Sequence, residues 1–198
     1  MNHQKLKNRK EIDLPDIPLR MNMPEAKIAI CDALLELLSV QSFESISVKE
    51  ICIAAQVHRS TLYRYYSDKF EVLKESLQLV LATLEREISL FRTEPRDKIC
   101  EQVFKFVARY HFLFEKILLT DDSSKLRPIL QAILIENAPA VILKGKTNPE
   151  DPAREIIANY YSGAVLAVIE WWLRENMKPE AASMAEYLNM LFSSPAIG

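Results

Sequence analysis

Residues 47–69 constrain the fold of this chain more than any other part of its sequence. They read SVKEICIAAQVHRSTLYRYYSDK, which predicts a short helix, a tight turn at Gln56 and Val57, a second short helix and the start of a third. Apolar residues three or four positions apart give each short helix a face that can be buried. These residues are Val48, Ile51 and Cys52 in the first helix, and Leu62 and Tyr66 in the second.

The second of these helices, predicted over residues 58–65, leaves a polar face exposed. No Asp or Glu occurs between Ile51 and Ser67. Arginine, hydroxyl and phenol groups without neighbouring carboxylates suit a DNA major groove and its phosphates. The pattern therefore predicts a helix-turn-helix that binds double-stranded DNA. The residues expected on the exposed face are His58, Arg59, Ser60, Thr61, Tyr63, Arg64 and Tyr65.

Residues 27–73 resemble the DNA-binding domain of the tetracycline-repressor (TetR) family of transcriptional regulators. That family typically shows a Phe before a helix begun by Thr or Ser, followed by Ala-Gly-Val-Ser-x-Gly-Thr-Leu-Tyr-x-Tyr-Phe-x-x-Lys. Here Phe43 precedes Ser47, and residues 55–69 read AQVHRSTLYRYYSDK. The resemblance covers roughly a quarter of the chain at the correct spacing and implies a DNA-binding transcriptional regulator. We expect a repressor, with an activator as the alternative that the residues leave open.

Two residues depart from the family pattern at the turn between the two short helices. Gln56 stands where the family has Gly, and His58 stands where it has Ser. If the turn requires a positive φ, a glutamine there is strained, because only glycine adopts that region without penalty. Histidine is also a poorer helix N-cap than serine. Both departures concern the fine geometry of the turn.

The resemblance assigns phosphate contacts to four residues: Ser47, Tyr63, Tyr65 and Lys69. A hydroxyl and a helix N-terminus at Ser47 both favour an anion, while the alternative for Ser47 is a helix cap. The alternative for Lys69 is a solvated surface charge. These residues would set the position of the protein on DNA without reading its sequence.

Base recognition is expected at the N-terminal end of the second short helix. Arg59 is the candidate for a bidentate contact to guanine, which is worth roughly 1–3 kcal/mol of discrimination. Arg64 also faces outward and would reach phosphate. The other expected base-reading residues are His58, Ser60 and Thr61.

The composition predicts an all-α fold. Only 3 of the 198 residues are Gly, while 49% are hydrophobic and 26% charged. Scarce glycine with abundant helix-forming residues favours helices throughout and excludes glycine-rich phosphate loops. We expect about nine helices: a three-helix DNA-binding domain over residues 24–70, joined by a linking helix to a helical regulatory and dimerisation domain over residues 71–198. The net charge of −2 means that attraction to DNA must be local.

Residues 1–23 are expected to form an extended or mobile arm, because basic residues are followed there by prolines. The arm would be either a disordered tail or a basic segment that touches phosphate or the minor groove beside the main contact. Its basic residues are Lys5, Lys7, Arg9 and Lys10, and the prolines are Pro15 and Pro18.

A homodimer is expected, because one helix-turn-helix covers too few base pairs to be selective and such proteins normally bind paired half-sites. In the TetR family the last two helices of each subunit form a four-helix bundle across a two-fold axis. Small residues there allow close approach and large apolar residues supply area, although some of them must fill the monomer core. The candidate interface residues are Gly163, Ala164, Ala167, Trp171, Tyr187 and Leu191.

Family members commonly bind a small-molecule effector in the C-terminal domain. Aromatic residues here could line an apolar pocket with a few polar groups, or they could pack as ordinary core, and regulation could then come from a protein partner. The candidate pocket residues are Phe104, His111, Phe114 and Tyr161.

Other function classes find little support in the sequence. The three histidines are far apart, no Gly-x-Ser-x-Gly or HExxH motif occurs, and no metal site, cofactor or catalytic activity is expected. Cys31 and Cys52 lie on apolar helical faces and are expected in the core. Free thiols without a signal peptide indicate the cytoplasm, and the apolar run at residues 161–173 is too short to span a membrane. The main alternative is an adaptor of the same fold that binds proteins and does not read DNA.

Overall fold

The computed structural model of the protein describes residues 18–91, 94–142 and 152–193. Within these ranges the chain forms ten α-helices and no β-strand, which confirms the all-α prediction. The helices are α1 (Pro18–Met21), α2 (Glu25–Leu38), α3 (Val48–Ala54), α4 (Arg59–Tyr65), α5 (Lys69–Ser89), α6 (Arg96–Arg109), α7 (His111–Leu118), α8 (Ser123–Ile142), α9 (Pro152–Arg174) and α10 (Ala181–Ser193).

Local side chains determine where the helices of the N-terminal half begin. Ser47 caps α3, and Glu50 completes a capping box by accepting from the Ser47 backbone N–H at 2.9 Å. Asp68 caps α5 by accepting from the backbone N–H groups of Phe70 and Glu71 at 2.8 and 3.0 Å. His58, at the start of α4, makes no capping hydrogen bond. The expectation that His58 is a poor cap is confirmed.

The turn between α3 and α4 does require a positive φ. Gln56 has φ of 55°, and the backbone N–H of Val57 donates to the carbonyl of Cys52 at 3.0 Å. A second bond joins the Gln56 N–H to the carbonyl of Ile53 at 3.3 Å. This pair of bonds is a Schellman motif, in which glycine is the preferred residue at the left-handed position. Gln56 therefore occupies a strained position.

Helices α2 to α5 form the N-terminal half around one apolar core. Leu62 is fully buried and Tyr66 is 4% exposed, so the predicted inner face of α4 is confirmed. Cys31 and Cys52 are also buried, as expected. The Phe43 and Phe70 rings pack edge to face with centroids 4.9 Å apart. The other fully buried large residues here include Ile30, Leu34, Leu35, Leu38, Ile46, Ile51 and Leu73.

The C-terminal half is built from helix pairs. Helix α6 packs along α10, and α8 packs along α9. Trp172 of α9 is buried where the two helix pairs meet, and its ring centroid lies 5.1 Å from that of Phe104 in α6. Its indole N–H donates to the carbonyl of Pro179 at 2.6 Å. Helix α5 joins the halves, because it contacts α2 at one end and both α6 and α8 along its length.

The N-terminal arm departs from its prediction where the structure describes it. Residues 18–21 form the helical turn α1 rather than an extended segment. The Arg20 guanidinium donates to both carboxylate oxygens of Asp32 at 2.7 and 2.6 Å, which fixes this turn on α2. The basic residues Lys5 to Lys10 lie outside the described residues.

Candidate nucleic-acid interface

Helix α4 presents the predicted polar face to solvent. His58, Arg59 and Ser60 are exposed at its N-terminal end, and Thr61 is half-buried. The buried anchors Leu62 and Tyr66 hold the opposite face against the core. By helical spacing Ser60 and Arg64 lie on the face opposite Leu62, while His58 and Arg59 are exposed because they stand at the open N-terminal end of the helix. The expected base-reading residues are therefore free to enter a groove.

The middle of α4 carries phenol and guanidinium groups. Tyr63 is 55% exposed, and Arg64 is exposed beside it. The Arg64 guanidinium donates to the Tyr65 hydroxyl oxygen at 2.9 Å and lies 4.8 Å from the centre of the Tyr65 ring. Arg64 and Tyr65 thus form a single unit that presents one positive charge, while the Tyr63 hydroxyl points away from the core.

Carboxylates near this face are held by backbone groups. The Asp68 carboxylate caps α5, and the Glu71 carboxylate accepts from the Ser67 backbone N–H at 2.7 Å. No Asp or Glu belongs to α4 or to the turn before it. The exposed face of α4 is consequently the positive surface that a phosphate backbone requires, although the whole chain has a net charge of −2.

Ser47 is used as a helix cap in this structure. Its hydroxyl oxygen accepts from the Glu50 backbone N–H at 3.2 Å, and its hydroxyl lies 2.8 Å from a Glu50 carboxylate oxygen. The carboxylate of Glu50 therefore stands beside the group that would meet a phosphate. Ser47 therefore has the helix-capping role that the sequence analysis gave as its alternative. Its contact with phosphate stays a prediction.

Lys69 is half-buried, and its ammonium is directed into the protein. Its ammonium donates to the backbone carbonyls of Phe43, Glu44 and Ile46, at 2.8, 3.2 and 2.9 Å. It also lies 4.5 Å from the centre of the Phe43 ring. All three ammonium donors are thereby engaged within the protein, so this arrangement leaves none for a phosphate.

A polar network behind α4 was not expected from the sequence. The Tyr66 hydroxyl donates to Glu75, and the Lys27 ammonium donates to the other Glu75 oxygen at 2.6 Å. The Cys31 sulfur lies 3.5 Å from the same hydroxyl. Burial raises the pKa of the Tyr66 phenol far above its usual range. The one available signal was the tyrosine at 66, where the TetR pattern has phenylalanine.

The residues proposed for an effector pocket do not form one cluster through their described ring contacts. Phe104 is 1% exposed and packs on Trp172, whereas Phe114 is 4% exposed and packs 6.5 Å from Phe106. His111 is half-buried, with its Nδ1 3.2 Å from a Glu115 oxygen. Tyr161 is half-buried on α9. Phe104 and Phe114 are therefore packed as ordinary core residues, which was the alternative to a pocket.

An open cleft lies in the N-terminal half, away from these aromatic residues. It has a volume of about 290 Å³ and is bounded by α2 and the end of α3. The residues that line it include Ala29, Asp32, Ala33, Ala54 and Gln56. Asp32 already pairs with Arg20.

Four of the six candidate dimer residues are exposed on the single chain. Trp171 is 49% exposed and Tyr187 is 55% exposed, while Ala164 and Ala167 are also exposed. A methyl group added to Gly163 would meet no atom within 4 Å. The remaining candidate, Leu191, lies outside the described side chains.

Comparison with known proteins agrees with these features. Residues 30–75 match the family described as bacterial regulatory proteins, tetR family, and residues 96–194 match a transcriptional regulator C-terminal region of that family. A curated relative, the uncharacterized HTH-type transcriptional regulator YxbF of Bacillus subtilis, is 25% identical over 81% of this chain and 44% of its own length. The chain spans less than half the length of the curated relatives it matches.

Solved structures share the fold. The fatty acid degradation regulator FadR of Bacillus halodurans superposes with a TM-score of 0.58 over 88% of this chain and 98% of its own, at 18% identity. FadR of Bacillus subtilis, solved with stearoyl-CoA, gives a TM-score of 0.55 over 84% and 97% at 18% identity. The two family matches, together with the exposed α4 and the all-helical body, establish that this chain belongs to the TetR family of transcriptional regulators.

Proposed function

We propose that this protein is a cytoplasmic homodimer that binds a two-fold symmetric DNA operator through α4 and represses transcription. The observation that carries the proposal is the exposed, acid-free face of α4, held in place by the buried Leu62 and Tyr66. Arg59 is the residue proposed to read a guanine, since an exposed guanidinium at the first helical turn can reach a base edge. Tyr63 and the paired Arg64 and Tyr65 are proposed to bind phosphate.

A second copy of the chain is the partner that fits α9. Five exposed residues, Ile156, Tyr160, Ala164, Ala167 and Trp171, follow one another at spacings of four, four, three and four, which places them on one face. The stripe is roughly 22 Å long at 1.5 Å per residue. No charged residue occurs from residue 156 to residue 169. An uncharged stripe with small residues at its centre supports close packing of two helices.

Tyr187 and Met190 are also exposed on α10, at 55% and 67%. The apolar helix is longer than the run at residues 161–173 that the sequence analysis expected to be too short: by length and composition alone, the segment Arg154–Arg174 is apolar enough to cross a membrane. A third of its apolar window is buried in the single chain. Core helices of soluble proteins meet the same criterion. Pairing with a second copy accounts for the apolar surface without a membrane.

The DNA-binding proposal is tested by selecting bound duplexes from a random pool and measuring their affinity across a salt series. A protein that neutralises phosphates loses affinity linearly on a log–log plot as salt rises. The expected result is an enriched, inverted-repeat sequence bound with a steep salt dependence. Failure to enrich any sequence, with no salt-dependent binding, would favour the adaptor instead.

The dimer is tested by placing a charge in the stripe. Ala167→Glu leaves the monomer fold intact because Ala167 is exposed, but it buries an unpaired carboxylate if α9 meets its copy. Sedimentation should report monomers for Ala167→Glu. The matched control is Ala132→Glu, at an exposed position of α8, which should remain dimeric. Equal behaviour of the two variants would contradict the interface.

Control by a small molecule is the least constrained part of the proposal. Its support is the aromatic content of the C-terminal half, since aromatic residues line most ligand pockets. The fold shared with the stearoyl-CoA complex of FadR assigns no ligand to this chain, but it makes acyl-CoA esters sensible probes. An effector should raise the melting temperature and weaken operator binding together. A panel that moves neither quantity would argue for control by a protein partner.

A further inference from the structure

Lys69 connects the two ends of the helix-turn-helix. It is the first residue of α5, four positions after the end of α4 at Tyr65, and its ammonium binds three carbonyls of the loop before α3. That loop ends at Ser47, the cap of α3. The residues that precede α3 and the residue that follows α4 are therefore tied directly together.

The three carbonyls lie outside any helix, and one of them, that of Phe43, also accepts the Ile46 backbone N–H at 3.1 Å. Phe43 and Ile46 are buried, at 1% exposure each, and their carbonyls lie in the irregular segment between α2 and α3. Buried carbonyls without donors are costly. A lysine ammonium supplies three donors from one point and a positive charge that strengthens each bond.

The other side of the same loop contacts the C-terminal half. The Glu44 carboxylate pairs with the Lys125 ammonium, and the Glu44 backbone N–H points to a carboxylate oxygen of Asp122 at 3.4 Å. Asp122 is 8% exposed. The loop is thus held between α5 on one side and the start of α8 on the other, which leaves it little freedom to shift.

We propose that Lys69 is a positioning residue for DNA binding and not a phosphate contact: by binding the Phe43, Glu44 and Ile46 carbonyls, it sets the orientation of α3 and α4 relative to α5. The proposal rests on the proposed function. It departs from the assignment implied by the TetR resemblance, because the donors that would grip a phosphate are already used inside the protein.

Salt dependence distinguishes the two roles. Lys69→Met removes the donors but keeps an unbranched side chain over the Phe43 ring. Measured on a selected operator well below the melting temperature, its affinity should fall about tenfold or more, with an unchanged slope of log affinity against log salt. A phosphate contact predicts instead that the slope becomes shallower by about 0.9. Arg64→Met is the control that should reduce the slope.

Lys69→Arg provides a second, independent comparison. A planar guanidinium keeps the charge but cannot direct three donors from one point onto three carbonyls. Positioning therefore predicts that Lys69→Arg also loses affinity, whereas a phosphate contact predicts near-normal binding. Normal affinity in either variant, or a shallower slope in Lys69→Met, would overturn the proposal.

Hydrogen exchange separates failure of this proposal from failure of DNA binding itself. The amides of Ser45 and Ile46 donate to Ser42 and Phe43 carbonyls within the loop. In the free protein, Lys69→Met should accelerate their exchange, while the amides of α10 remain as in the unchanged protein. If exchange accelerates but no duplex is bound by any form, the loop contact stands and the proposed function fails. If exchange is unchanged, the positioning role fails.

Discussion

Replacing Gln56 with glycine should stabilise the protein. Gln56 is exposed and has φ of 55°, at the left-handed position of the Schellman motif that ends α3. A residue with a β-carbon in this region is disfavoured by roughly 1–2 kcal/mol, and glycine does not carry that penalty. Most substitutions destabilise a folded chain, so a gain here tests the backbone geometry directly.

The expected gain is smaller than the strain itself. Glycine makes the unfolded chain more flexible, which offsets about 0.4–1 kcal/mol. The net increase in the free energy of unfolding is therefore about 0.5–1 kcal/mol. For a chain of this size, 1 kcal/mol corresponds to roughly 2–4 °C in melting temperature. Gln56→Gly should accordingly melt about 1–4 °C higher.

Two control variants isolate the cause. Gln56→Ala keeps a β-carbon and should show no comparable gain. Asn176→Gly changes the equivalent position after α9, where φ is 54°, and should gain less because asparagine tolerates this region better than glutamine. Urea unfolding followed by circular dichroism measures all three. A loss of about 1 kcal/mol for Gln56→Gly, as glycine gives inside a helix, would refute the reasoning.

Three further predictions follow from the other contacts. Burial raises the pKa of both Cys31 and Tyr66. Above roughly pH 8.5–10 the unfolded chain releases these protons while the folded chain keeps them, so the urea midpoint of unfolding should fall as the pH rises. The double variant Cys31→Ala with Tyr66→Phe should show a smaller fall. Phe104→Ala should lower the free energy of unfolding by about 3–5 kcal/mol, because Phe104 is buried against a tryptophan; a near-neutral result in urea unfolding would indicate an open pocket there. Arg59→Ala should relax base preference at one position by roughly 1–3 kcal/mol in operator selection, and unchanged preference would remove Arg59 from base recognition.

Local sequence rules predicted the features that depend on neighbouring residues. The inner face of α4 follows from helical spacing, and the missing cap at His58 follows from its side chain. The positive φ of Gln56 follows from the glycine expected at that position. Each depends on residues within a few positions of one another, where propensity and periodicity hold.

Contacts between residues far apart in the sequence could not be predicted from such local rules. Lys69 binds carbonyls 23 to 26 positions away, and Lys27 meets Glu75 across 48 positions. The family resemblance assigned Lys69 a contact with DNA phosphate, because a sequence motif shows which residue is present but not which neighbouring groups accept its hydrogen bonds. The helical turn α1 was missed for the same reason, since its stability depends on Asp32, twelve residues beyond Arg20.

The central claim is that two copies of α4 enter one duplex, and the mass of the complex tests it most directly. The measurement uses native mass spectrometry on the unchanged protein mixed with a selected duplex and with the same duplex carrying one scrambled half-site. Two chains, or a multiple of two, should bind the intact site, and scrambling one half should weaken binding sharply. A complex with a single chain, or equal binding to both duplexes, would contradict the account.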